Sequence, residues 1–288
     1  MDSGDGLVNE FDEFFNAVYS SEIALLKSNF PKIRSLNIKY TDLEKWNSDI
    51  ADLLLKNPDK VVTAAKEALE MHGFDKTYDY EVHVRFHELP DFNLLVQDLG
   101  AAHIDKLIRV EGILTKRYET KPKVKMALFK CKNCGANYKV IMTKQTQPMR
   151  MCEVCKKKVD FSEEESYFVD VQFAEMQELL ERLRGGAPAS HIQLMMEDDL
   201  VNYINPGEEV TITGILRIKP PIKTQNDNIY LKYLDVLKID KSKKDFEKQL
   251  KHDKLKKEYA QNNNINILEI WYWDFNNIED ILKKILNY

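Results

Sequence analysis

Phe129-Lys-Cys131-Lys-Asn-Cys134-Gly135 and Cys152-Glu-Val-Cys155, with seventeen residues between Cys134 and Cys152, are the two halves of the stretch around which the chain is organised. Two CxxC knuckles at this separation bring four thiolates onto one tetrahedral Zn²⁺, with Zn–S distances of about 2.3 Å. Gly135 suits the tight turn that follows the first pair. Cys131, Cys134, Cys152 and Cys155 are the only cysteines in the sequence. Buried apolar cysteines or disulfides are the competing readings, and neither accounts for two CxxC pairs with no cysteine elsewhere. Four protein ligands leave no position for water, so the site is expected to be structural. Metal binding then supplies the folding energy that an insertion over 129–161 lacks in apolar mass. Cysteines held as thiolates point to a reducing compartment.

Outward from the knuckles the chain is β-rich. Leu107–Thr115 alternates, Lys123–Lys130 runs into the first knuckle, and Tyr167–Phe173, Ile192–Met196 and Glu209–Leu216 follow the second. Gly112 and Gly214 lie inside two of these runs, which suggests a small barrel bending at the glycines. A five-stranded oligonucleotide-binding (OB) barrel over 93–128 and 162–240, carrying the zinc module as an insertion, fits this order. A β-sandwich is the structural competitor. Two apolar runs flank the polar, Pro-containing tip Lys219-Pro-Pro-Ile-Lys223-Thr-Gln-Asn-Asp-Asn228, and this predicts a long hairpin over 217–232. Arg217, Lys219, Lys223 and Lys232 give the hairpin a basic surface suited to phosphates, although scattered solvated lysines would read the same.

Residues 1–92 read as a helical bundle. Phe11, Phe14, Phe15, Val18 and Tyr19 recur at helical steps, Asp42–Leu55 repeats the pattern, Asn57-Pro58 breaks it, and Val61–Leu69 resumes it. Glu81–Phe86 alternates as a strand, and a short helix is expected near Leu99–His103. His83 and His87 have no partners at a useful spacing and read as ordinary strand and loop residues. Asp198-Asp199 reads as a turn or helix start. The charge-rich stretch beyond Ser242 marks a boundary, and 241–288 is expected to be a charged linker with a small α/β tail. The fold class is therefore α+β and multidomain.

The net charge of −5 excludes a uniformly basic nucleic-acid binder but leaves room for a local basic stripe. The acidic start Met1-Asp-Ser-Gly-Asp is unlike a signal peptide, and no apolar run approaches the ~20 residues of a membrane span. The expected setting is soluble and cytoplasmic, archaeal or otherwise intracellular, and nucleoid-associated, with no membrane partner.

In this order the modules resemble the N-terminal region of archaeal minichromosome maintenance (MCM) replicative helicases. Carrying the resemblance are Val82-His-Val-Arg-Phe86 with Leu89-Pro90, Ile104–Thr115, Gln177-Glu178 with Gly185-Gly186, and Leu194–Leu200 through Pro206–Leu216. The resemblance implies a non-catalytic module that forms a ring, hexameric or doubled, around single-stranded DNA, with double-stranded DNA as the alternative. It implies that the hairpin points into the channel, and that Lys116 and Arg117 on the barrel also touch DNA. The loop at Gln177–Ala189 would relay to an ATPase, and full-length MCM subunits are implied partners. Glu175 stands where some relatives carry a DNA-contacting arginine. No GxxxxGK[ST] loop occurs, so no nucleotide-phosphate cradle and no enzymatic activity is expected of these residues.

A second resemblance is confined to the tail. Phe246–Tyr259, with His252 and Asp253, and Asn263–Ile285 look like the end of restriction-like endonucleases of viruses and mobile elements. The core acidic residues and lysine of that family find no counterpart, so the tail reads as a structural remnant. A nuclease-related protein and a zinc-stapled interaction scaffold are the alternative functions.

Overall fold

In the computed structural model of this protein, which describes residues 5–74, 80–90, 94–142, 148–182, 189–219 and 231–241, the aromatic stripe near the N-terminus forms α1, Asp5–Val18. Phe11, Phe14 and Phe15 are at most 1% exposed. Burying each stabilises the layer by about 1.5–3 kcal/mol relative to leaving it in water. The chain divides into two units, Met1–Lys241 and Ser242–Tyr288. Only the first contains described residues, so the expected tail, His252, Asp253, Lys223, Gly185 and Gly186 lie outside them.

Where the periodicity predicts three helices, the described residues form five. Beyond α1 come α2 (Ser20–Asn29), α3 (Tyr40–Trp46), α4 (Ser48–Lys56) and α5 (Pro58–Met71). Asn47 splits the run that the pattern joins. Its side chain accepts the N–H groups of Asp49 and Ile50 and so caps α4. Pro58 opens α5, where a missing N–H costs nothing. The N-terminal region is also not all helix. Strand β1 (Ser35–Lys39) pairs in parallel with β2 (His83–His87), Ser35 opposite His83 and Lys39 opposite His87. Its Leu36 and Ile38 are buried on one face, but five residues inside a helical stretch are too few for a period of two to stand out.

Among the described residues six more strands follow: β3 (Leu107–Lys130), β4 (Asn137–Ile141), β5 (Asp160–Glu178), β6 (His191–Glu197), β7 (Glu209–Lys219) and β8 (Leu231–Lys241). Their order is β4-β3-β5-β6-β8-β7, and β7 pairs back onto β3. The ring β3-β5-β6-β8-β7 is therefore closed. Its pairs are antiparallel except β6 with β8, which run parallel. This is the OB barrel, and closure removes the sandwich alternative. Leu114, Met176, Leu194, Met196, Ile212 and Leu234 fill its interior at 1% exposure or less. Leu107 and Ile215 turn outward and pack into the core of the helical layer.

The two strands expected ahead of the first knuckle are one strand, β3. It crosses the barrel and continues, paired with β5, as an arm that ends at Lys130 opposite Asp160. Shifts of register, including one between Arg117 and Thr120, let a single strand serve both barrel and arm. The two glycines are explained by close approach rather than by bending alone. A Cβ at Gly112 would lie 2.5 Å from the Gln177 carbonyl, and one at Gly214 would lie 2.6 Å from that of Asp235.

Candidate metal centre and nucleic-acid surface

The knuckles sit at the end of the arm. The Cys131 N–H donates to the Ala136 carbonyl and the Gly135 N–H to the Cys131 carbonyl; Cys152 and Lys157 repeat the first bond in the second knuckle. Gly135 adopts φ 72° and Lys156 φ 55°, the left-handed residues of two matching turns. One thiol atom from each of the four cysteines lies within 4.8 Å of the others, and the Cys131–Cys155 and Cys134–Cys152 sulfurs are 3.4 and 3.5 Å apart. Four sulfurs around Zn²⁺ at about 2.3 Å stand about 3.8 Å from one another, so the donor set fits a tetrahedral zinc. A disulfide, at about 2.05 Å, is not formed by either pair.

Proton affinities among the four thiols are unequal. The Cys155 N–H, with the Tyr138 hydroxyl, pulls the Cys152 thiol down to about 6. At Cys134 the Ala136 N–H is the largest single influence and acts downward, but the Cys152 sulfur, burial and the Cys131 and Cys155 sulfurs together outweigh it and push the thiol up to about 12. A metal ion would favour the deprotonated form of all four.

The residues expected to meet DNA are held differently. Lys116 is exposed, its Nζ 4.7 Å from the centre of the Tyr118 ring. The Tyr118 hydroxyl donates to Glu175, so this carboxylate is already engaged by a neighbouring side chain on the barrel wall. Arg117 donates to the Ile204 carbonyl and to Asn205, both at 3.0 Å. Lys232 donates to the Leu99 carbonyl at 2.7 Å. Lys219 lies over the Phe173 and Tyr233 rings at 4.4 and 4.7 Å and donates to Gln193 at 2.9 Å, and burial lowers its pKa.

Arg217 is a correction. Its side chain is 11% exposed and pairs with Asp59, with Asp105 at 2.7 Å and with Asp235 at 3.7 Å. A guanidinium already shared by three carboxylates holds α5 and the approach to β3 against the hairpin stem and has no face left for a phosphate. The sequence missed this because the three aspartates lie far from Arg217 along the chain.

His83 stands in β2 and Asp198-Asp199 open a short helical turn, as the sequence suggests, but His83 has partners that the spacing does not reveal. His83 Nε2 lies 2.6 Å from Asp198 Oδ2, and Arg34 reaches both oxygens of Asp198 at 2.7 and 2.8 Å. Arg85 and Ser35 both donate to Asp199. The trio His83, Asp198 and Asp199 is compact enough to suggest a cation site. Two guanidiniums already neutralise its carboxylates, so it joins the helical layer to the barrel instead.

Burial acts to raise both aspartate pKa values, but His83 and Arg34 outweigh it at Asp198, and Arg85 and His83 at Asp199. Both values fall below the usual one, so the stability they contribute is present above about pH 4 and lost as pH falls through the folded values. The melting temperature should drop on acidification below about pH 4. The drop should be shallower in Asp199→Asn, where one titrating group is gone; an unchanged slope would remove Asp199 from the account.

Comparison with known proteins decides the family. Residues 8–96 match the MCM N-terminal domain and residues 95–220 the MCM OB domain. The chain belongs to the MCM family. What it shares is the family's N-terminal region. A crystal structure of the N-terminal domain of an archaeal MCM superposes with a TM-score of 0.68 at 26% identity, over 83% of this chain and 100% of that one. The minichromosome maintenance protein MCM of Saccharolobus solfataricus is 28% identical over 226 residues, covering 73% of this chain. The DNA replication licensing factor mcm2 of Schizosaccharomyces pombe is 28% identical over 220 residues, also 73% of this chain. The chain spans 33% and 26% of the lengths of these two relatives.

Of the residues that the MCM resemblance assigned to a communication loop, Gln177 and Glu178 end β5. Glu178 points into the barrel, 1% exposed, and its carboxylate oxygens have no hydrogen-bond partner among the described residues. Among those residues no helix is long and apolar enough to cross a membrane.

Proposed function

We propose that residues 5–241 are a non-catalytic module that binds single-stranded DNA and assembles into a ring, as part of MCM-type DNA replication. The observation that carries this reading is the closed barrel with its metal arm and hairpin stem, in the order of the MCM N-terminal and OB domains. Lys116 is an exposed cation on the barrel wall, and Lys223, outside the described residues, is proposed as a second contact from the sequence alone. A ring multiplies each contact by the number of subunits, giving sequence-independent binding. The structural cofactor is Zn²⁺ on Cys131, Cys134, Cys152 and Cys155, and the module limits are those read from the sequence. The setting is DNA-associated, inside the cell, with full-length MCM subunits as candidate partners.

The internal engagement of Arg117, Arg217, Lys219 and Lys232 favours a second reading, an interaction scaffold that binds no DNA. Fluorescence anisotropy of a labelled oligonucleotide across salt concentrations separates the two. The DNA reading expects log affinity to fall with log salt by about 0.7 per phosphate contact, and a shallower, weaker curve for Lys116→Glu with Lys223→Glu. A protein that ignores DNA at low salt leaves the scaffold.

A further inference from the structure

The metal arm contains a side chain that none of the ligand motifs names. Tyr138 lies on β4, paired with Phe129 of β3, so its ring is fixed by the strand that follows the first knuckle. Its hydroxyl crosses to the second knuckle. It accepts the Glu153 N–H at 3.1 Å and lies 3.1 Å from the Cys152 sulfur. Because an oxygen lone pair is directed at the Glu153 N–H, the phenolic hydrogen is free to point at the sulfur, and a thiolate can only accept. Cys152 is 0% exposed, so water cannot supply that hydrogen bond in place of Tyr138.

We infer that Tyr138 is a positioning residue of the metal centre, donating to the Cys152 thiolate and tying one knuckle to the other. The inference rests on the zinc reading of the four cysteines. Four thiolates on one Zn²⁺ carry a net charge of about −2, and a hydrogen bond to the buried Cys152 sulfur disperses part of it. The same bond holds Cys152 in its orientation once the two knuckles have closed around the metal, so its loss loosens the loaded centre. Partners of this kind alter metal affinity by 10–100-fold when removed.

The test uses the full chain, with zinc affinity measured by competition against a chelating indicator and the site read independently by its thiolate-to-Co²⁺ absorption band. Tyr138→Phe keeps the ring packing and deletes only the hydroxyl. The inference expects wild type to bind one zinc, and the variant to bind at least tenfold more weakly with a shifted cobalt band and unchanged circular dichroism when loaded. Wild type and variant within twofold of each other, with identical bands, would overturn the role of Tyr138 and leave the zinc reading intact. A wild-type chain that takes up no zinc overturns both.

Discussion

Removing the metal with a chelator, or replacing Cys152 with Ala, is expected to melt the arm's tip and leave the barrel standing. The buried cluster at the tip consists of Ala127, Phe129, Cys131, Cys152 and Val159, so two of its five members are themselves proposed ligands. So small a cluster offsets little of the backbone entropy of ordering two knuckles, about 1–2 kcal/mol per residue. Metal binding of the zinc-finger kind contributes about 10–16 kcal/mol and is the term that closes the gap. The barrel has no such dependence: its core contains no cysteine, and it closes by pairing β7 with β3. Hydrogen exchange should therefore accelerate at Tyr138 and Val159 by orders of magnitude in chelator, while Leu194 and Ile212 keep their protection. Equal protection with and without metal would show that the knuckles fold on their own contacts.

How much of this was legible in the sequence depends on the range of the interaction. The convergence of the four cysteines was, because a CxxC pair fixes two sulfurs within one turn and the chemistry is local. The barrel strands were, since alternation over Leu107–Thr115 and Glu209–Leu216 reports a buried face directly. Strand β1 was not, because its partner β2 lies more than forty residues away and supplies the context that makes Ser35–Lys39 extended. The basic residues misled for a related reason. A charge count registers Arg217 as a free cation, and only the fold reveals Asp59, Asp105 and Asp235 around it. Tyr138 and Tyr118 carried no signal at all, since each matters through one hydroxyl aimed across a strand boundary.

Replacing Arg85 with Met should cost more than any other single change to a charge in the described fold. Arg85 lies on β2 and is 6% exposed. It donates to Asp199 in the turn after β6, to the Leu237 carbonyl of β8 and, at 2.8 Å, to Ser35 of β1. One guanidinium thus joins both strands of the helical layer to two elements of the barrel. Met preserves much of the stem's packing, so the loss is electrostatic: Asp199 keeps Ser35 but is deprived of its principal counter-charge while still 22% exposed. Breaking a buried pair from one side costs about 3–5 kcal/mol. In a unit of this size that is a fall in melting temperature of roughly 6–20 °C. Adding Asp199→Asn removes the stranded charge, so the double variant should be more stable than Arg85→Met alone, the sign expected when both partners are neutralised together. If the two single costs simply add, Arg85 and Asp199 are not coupled. The helical layer would then be held to the barrel by Leu107 and Ile215 packing and not by this charge cluster.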